Sequence, residues 1–202
     1  MTKIVFASAN PGKIQELNDL LSPLGYSVVS QVELGIESVD ETASTFVENA
    51  LLKARQASRL SGLPAIADDS GLEVDALNGA PGLYSARHAE RHGAGSGDVA
   101  NYQFLLKQLA DTADEHRNAR FRSVVVYLSH ELDPSPLIAE GSWEGHILRA
   151  PEGEDGFGYD PVFCNHDTHT AAALLDKATK NRLSHRGKAV ASMVKLLAQA
   201  AS

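Results

Sequence analysis

The chain has 202 residues, of which 43% are hydrophobic and 22% charged, a balance that excludes a disordered chain or a fibre. Read as one domain over residues 1–202 with two lobes, it is long enough to bury a core without disulfides or a structural metal. Eighteen Lys and Arg against 26 Asp and Glu give a net charge of −8, which argues against nucleic acid or an anionic membrane as partner but not against a small anion held by a local basic cluster.

The opening run, Lys3 to Ala7, is apolar and partly β-branched, and Ser8-Ala9-Asn10-Pro11-Gly12 bounds it as a loop. Ile14, Leu17, Leu20, Leu21 and Leu24 then recur at helical spacing, with Gly25 as a stop. Ser27 to Val32 reads as a second strand, and Leu34 to Ser44 as acidic and irregular. Phe46, Ala50, Ala54, Ala57 and Leu60 form a helical stripe that ends before Gly62 and can be capped by Ser44 or Thr45. Ala65 to Ala67 is a short buried strand that Asp68-Asp69-Ser70-Gly71 breaks, with Leu72 to Val74 resuming it. Residues 78–97 are loop-rich, and a helix fits Val99 to Leu109. Phe121 to Leu128 and Leu137 to Leu148 are long strands. A Gly-rich loop over Pro151 to Tyr159 leads to a short strand at Pro161 to Cys164, and helices fit Ala171 to Leu175 and Gly187 to Ala200. Early alternation and later long strands predict an α/β fold with a mixed sheet.

Cys164 is the single cysteine, so no intramolecular disulfide can form, which suits a reducing compartment. No apolar run approaches the roughly 18 residues that span a bilayer. The first strand follows Met1 with no secretory leader, so a cytoplasmic location is expected.

Four constellations can carry chemistry. Ser8 to Lys13 lies between a strand and a helix, where backbone N–H groups favour an anion and Lys13 adds charge. It is not a Walker A loop, since Ala7 takes the place of its first Gly and Ile14 that of its Ser or Thr. Asp68-Asp69-Ser70-Gly71, with Asp40-Glu41 upstream, offers oxygen ligands that suit Mg²⁺ sharing phosphate oxygens. Gly156-Phe157-Gly158-Tyr159-Asp160-Pro161 combines permissive backbone with two stacking rings and an acceptor. Lys180 with Ser184-His185-Arg186-Gly187-Lys188 gathers cations near the start of the last helix, where they oppose its dipole unless a ligand compensates. Taken singly, each also reads as an ordinary turn or solvated face. His88 and His92, and His166 and His169, lack a zinc pattern; Cys164 and Trp143 read as packing.

Taken in order, these motifs resemble the inosine/xanthosine triphosphate pyrophosphatase family. They are Ser-Ala-Asn-Pro-Gly-Lys (8–13), Glu41-Thr42 with Thr45 to Ala50 and Lys53-Ala54, Ala67 to Leu72, Gly79 to Gly82 with Tyr84 to Arg87, Phe157 to Pro161, and Ser184 to Gly187. The resemblance implies Mg²⁺-dependent hydrolysis of ITP, dITP and XTP to the monophosphate and pyrophosphate. It also implies a homodimer and an elongated mixed sheet flanked by helices, with the active-site groove between two lobes. By resemblance Ser8, Ala9, Asn10, Pro11, Gly12 and Lys13 hold the triphosphate, with a further contact from Lys53. Glu41 and Asp69 bind metal, Asp69 activates water, and Ser70 touches substrate. Phe157, Gly158, Tyr159, Asp160, Lys180, His185 and Arg186 form the base pocket. Three features depart from the family pattern. Ala9 replaces a common Gly, Ala178-Thr179 replace an acidic pair before Lys180, and residues 90–97 form an atypical Gly-rich stretch read as a mobile surface loop. A pyrophosphatase of similar fold acting on modified pyrimidine or dTTP-like nucleotides and a nucleotide-binding regulator without turnover are the alternatives.

Overall fold

The computed structural model describes residues 1–200. In chain order its elements are β1 (Thr2–Phe6), α1 (Pro11–Leu21), β2 (Tyr26–Ser30), α2 (Phe46–Ser61), β3 (Ala65–Val74), β4 (Pro81–Gly82), α3 (His88–Arg91), α4 (Asp98–Gln108), β5 (Asn118–Leu128), β6 (Leu137–Ile147), β7 (Phe163–Asn165), β8 (Thr170–Ala171), α5 (Lys177–Leu183) and α6 (His185–Ala200). Among the described residues the eight strands form one sheet in the order β2-β1-β3-β5-β6-β7-β8, with β4 on β3. The sheet is mixed. β1 runs parallel to β2, from Thr2↔Tyr26 to Phe6↔Ser30, and parallel to β3 through Val5↔Ala65 and Phe6↔Ile66. β3/β4, β6/β7 and β7/β8 are antiparallel.

The chain divides into two compact units. Among the described residues the first comprises Met1–Asp69, Ser123–Glu140 and residues 189–200. Helices cover both faces of its sheet, so the strand period of two sorts the buried side chains into two cores. Ile4, Phe6 and Ile66 pack with Leu17 and Leu21 of α1 and with Val190, Met193 and Leu197 of α6. Val5, Ala7, Ala65 and Ala67 pack on the opposite face with Ala50, Ala54 and Ala57 of α2. Burying one Leu or Ile of this kind contributes about 1.5–3 kcal/mol.

The second unit comprises Ser70–Arg122 and Gly141–Lys188. Its core joins Leu72, Leu105, Leu109, Trp143, Val162 and Phe163. Arg117 is buried there and donates from Nε to Ile147 O (2.8 Å), from Nη1 to Leu109 O (2.6 Å) and from Nη2 to Leu148 O (2.7 Å), which satisfies a charge that burial would otherwise penalise.

Several expectations need correction. β3 is one ten-residue strand, not two pieces broken at Asp68 to Gly71. Both carboxylates meet ammonium groups there. Gly71 serves close approach rather than a turn: a Cβ on it would collide with Gly82 O and lie 2.9 Å from Ser85 Oγ. Residues 78–97 hold β4, α3 and one 3₁₀ turn (Ser85–Arg87) among their loops. Ala171 to Leu175 is no α-helix: Thr170–Ala171 is β8 and Ala172–Leu174 a single 3₁₀ turn. The strand near Cys164 begins at Phe163, because Asp160–Val162 forms a 3₁₀ turn around Pro161. The cationic stretch holds an unforeseen helix, α5, and α6 starts at His185 instead of Gly187. Lys180 and Arg182 thus lie in the last turn of α5, where cations suit the dipole instead of opposing it.

Candidate active site

In the first unit the loop after β1 is shaped by its own side chains. Asn10 caps α1 by accepting from Lys13 N at 3.1 Å, Ser8 Oγ accepts from Asn10 N at 3.2 Å, and Pro11 sits in the first turn without needing a partner for its nitrogen. The first turn of α1 contains no acidic residue of its own to offset the positive end of its dipole. Lys13 then reaches Asp68, with Nζ 2.7 Å from Oδ2.

β3 places its two adjacent carboxylates on opposite faces. Asp68 follows the face of Ile66, which α1 covers, and meets Lys13 of α1. Asp69 follows the face of Ala65 and Ala67, which α2 covers, and meets Lys53 of α2 at 3.5 Å. The strand period thus directs the two carboxylates to different ammonium partners. The companion of Asp69 is Glu41, whose Oε1 lies 2.7 Å from the same Lys53 Nζ. Burial alone would lower the Lys53 pKa, but the carboxylates of Asp69, Glu41 and Asp68 outweigh that and hold it above its ordinary value. Lys53 is delivered by a well-capped helix. Thr45 Oγ1 accepts from Glu48 N at 3.3 Å, while Glu48 Oε2 accepts from Thr45 Oγ1 at 2.8 Å and from Ser44 N at 3.2 Å. Ala9 lies in the loop, exposed, and Gly12 in the first turn of α1. Ser70 follows Asp69 along β3, half-buried.

In the second unit a second cluster forms around residues 156–160. Gly156 has φ +91°, a conformation that side chains disfavour, and a Cβ there would lie 3.0 Å from that of Asp160. Asp160 is buried; it accepts from Phe157 N at 2.8 Å and pairs with Lys180. Lys180 Nζ also stands 4.9 Å from the centroid of the Phe157 ring. Phe157 itself is 68% exposed, unusual for an aromatic ring tethered on both sides. Tyr159 is buried and donates from its hydroxyl to Ser85 O at 2.8 Å; burial first, and then Asp98, push its phenol up. His185, the first residue of α6, stacks on Phe121 with centroids 4.8 Å apart and planes 12° from parallel. Ser184 caps α6, accepting from Gly187 N at 3.1 Å. Arg186 follows in the first turn, half-buried.

The structure thus gathers Lys13, Asp68, Asp69, Glu41 and Lys53 in one unit. In the other it gathers Phe157 with Asp160 and Lys180, and sets Tyr159 on Ser85 and His185 on Phe121. The supports Asp98 and Phe121 carried no signal in the sequence, because their partners lie 60 or more residues away; Ser85 stood in the Tyr84 to Arg87 motif, but its contact with Tyr159, 74 residues on, did not show there. His88 and His92 are packing groups: their rings lie 5.1 and 4.9 Å from that of Phe104. Two shallow cavities of about 340 Å³ are lined by other residues, around Arg117 and His146 and around Arg55 and Leu132.

Residues 4–196 match the Ham1 family. The chain belongs to that family. It is 51% identical over 197 residues to a dITP/XTP pyrophosphatase of Vibrio cholerae, covering 98% of this chain and 97% of the relative. It is 54% identical over 197 residues to a dITP/XTP pyrophosphatase of Ralstonia nicotianae, with the same coverage. A HAM1 protein from Coxiella burnetii has a solved structure that superposes with a TM-score of 0.93 at 44% identity, covering 98% of this chain and all of that one. Membership in the Ham1 family agrees with the α/β fold and with the order of the motifs. No helix among the described residues is long and apolar enough to cross a membrane.

Proposed function

We propose that this protein hydrolyses dITP, ITP and XTP to the nucleoside monophosphate and pyrophosphate, removing deaminated purines from the nucleotide pool. The observation that carries this is the half-identity, over nearly the whole chain, to dITP/XTP pyrophosphatases. The clusters supply the chemistry. Residues 8–13 and the start of α1 receive the phosphates, and Lys13, held by Asp68, offsets their negative charge. Asp69 accepts the proton of the attacking water. Glu41 and Asp69 are hard oxygen donors that already converge on one cationic atom, the Lys53 ammonium, and that donor set fits a magnesium ion. When bound, Mg²⁺ would neutralise phosphate charge and orient the phosphate oxygens. Ser70 contacts substrate beside Asp69.

The second cluster is assigned to the base. Phe157 stacks on the purine, while Gly158, Tyr159 and Asp160 shape its surroundings. Lys180, His185 and Arg186 donate toward the carbonyl at position 6 of hypoxanthine or xanthine. Adenine presents an amino donor there, and an unpaired buried polar group costs about 1–3 kcal/mol. A site built on such hydrogen bonds discriminates by roughly 10⁴-fold or more. The reading includes one catalytic domain over residues 1–202, a homodimer and a cytoplasmic location.

Asp69→Asn tests the role of the base. It keeps size and hydrogen bonding but cannot take a proton, so kcat for ITP should fall about 10²-fold or more while ITP binding persists. Near-normal turnover would remove Asp69 from the mechanism. Binding without turnover in the unmodified protein would instead favour a regulator.

A further inference from the structure

The conformation of Phe157 is set by the two peptide groups that flank it, and a carboxylate holds each of them. Its own N–H donates to Asp160 Oδ2 at 2.8 Å. The next N–H, that of Gly158, donates to Asp98 Oδ2 at 2.7 Å. These two bonds bracket the φ and ψ of Phe157, and with them the direction of the Cα–Cβ bond from which its ring, 68% exposed and 4.9 Å from Lys180 Nζ, projects. Asp160 belongs to the loop it braces. Asp98 does not. It is the first residue of α4, directly after Gly97 (φ +84°), and it reaches a loop 60 residues further along the chain. An aspartate in the first turn suits the α4 dipole. That local benefit needs no contact with Gly158, so the bond at 2.7 Å calls for a second explanation. Asp98 also adds to burial in keeping the Tyr159 phenol protonated, the form that donates to Ser85 O.

We propose that Asp98 is a positioning residue that fixes the ring of Phe157 for stacking on the purine base. The atypical Gly-rich stretch before α4 thereby gains a function: it leads directly into the residue that latches the base loop. The inference rests on the assignment of Phe157 to the base, and the experiment separates the two.

ITP hydrolysis would be measured with the full chain and Mg²⁺ for Asp98→Ala, Asp98→Asn, Phe157→Ala and the Asp98→Ala/Phe157→Ala double variant, together with Tm for each. Asp98→Ala should raise KM about threefold to tenfold, the range for a charge-assisted hydrogen bond in partly exposed surroundings, with kcat within about twofold. Asp98→Asn keeps an acceptor oxygen and should recover most of that loss. On the Phe157→Ala background Asp98→Ala should add nothing further to KM, since the ring it positions is gone. A raised KM in Phe157→Ala with an unchanged KM in Asp98→Ala would overturn the positioning role alone. Additive KM effects, or a loss in Asp98→Asn as large as in Asp98→Ala, would overturn it too. An unchanged KM in Phe157→Ala would overturn the base assignment and this inference with it.

Discussion

Gly71→Ala probes the link between strand packing and the base loop. Gly71 has no positive φ to preserve, so alanine meets no backbone strain of its own. The cost is steric: the new methyl would collide with Gly82 O and lie 2.9 Å from Ser85 Oγ. β3 and β4 must separate where they pair, at Leu72↔Gly82 and Glu73↔Pro81. Two hydrogen bonds of Ser85 are then at risk, from Leu72 N at 2.8 Å and to Gly82 O at 2.6 Å. At about 1 kcal/mol each, with about 1–3 kcal/mol for overpacking and about 0.5 kcal/mol returned through the unfolded chain, the net loss is about 3 kcal/mol. For a chain of this size that lowers Tm by about 6–12 °C. The consequence reaches function because Ser85 O receives the Tyr159 hydroxyl at 2.8 Å. Calorimetry and ITP kinetics on the same preparation should show the fall in Tm together with a raised KM. An unchanged or raised Tm would refute the close-packing argument. A lowered Tm with an unchanged KM would show that the base loop does not depend on Ser85.

Two further predictions concern pH. Asp133 accepts from Ser129 Oγ (2.6 Å), Ser129 N (2.9 Å) and Ser135 N (2.9 Å), and these bonds hold its pKa at about 2. The stabilisation is complete above the ordinary value of 3.8 and is lost as pH falls through about 2. Asp133→Asn should therefore cost about 1–2 kcal/mol at pH 7, after allowance for solvent screening, and flatten acid unfolding between pH 4 and 2; an unaltered acid limb would contradict it. Burial keeps His88 below its ordinary 6.5, helped by His92 and opposed by the Gln108 bond. The unfolded chain takes up the proton first, so stability should begin to fall as pH drops through 6.5 and go on falling towards the lower folded value. Urea midpoints at pH 7.5 and 5.5 should differ less in His88→Gln than in the parent, with His146, also lowered by burial, keeping part of the slope.

The opening of the chain was legible because local forces decide it. β1 is a short apolar run, Asn10 is a good cap, and Leu17 and Leu21 repeat at one helical turn. α2 was legible for the same reason, with Thr45 as its cap. β3 was not. Asp-Asp-Ser-Gly looks like a break, and the partners that allow it to remain strand, Lys13 and Lys53, lie 55 and 16 residues away. The opposite facing of Asp68 and Asp69 follows from the strand period, but only once the strand is known to continue. α5 was missed because Lys-Ala-Thr-Lys-Asn-Arg-Leu carries no apolar stripe; its Asp176 cap, which accepts from Thr179 N at 2.9 Å, was the available signal. That bond also gives Thr179 a local structural task, and Asp160, rather than an acidic neighbour in the helix, holds Lys180.

The most direct test incubates the protein with Mg²⁺ and, separately, ITP, XTP, dTTP, ATP and GTP, resolves the nucleotides, and counts pyrophosphate against phosphate. Monophosphate and one equivalent of pyrophosphate from ITP and XTP, with little turnover of the other three, is the predicted result. Release of inorganic phosphate would mean that a different bond is cut, and preferred turnover of dTTP or ATP would contradict the assignment of Lys180, His185 and Arg186 to the purine carbonyl.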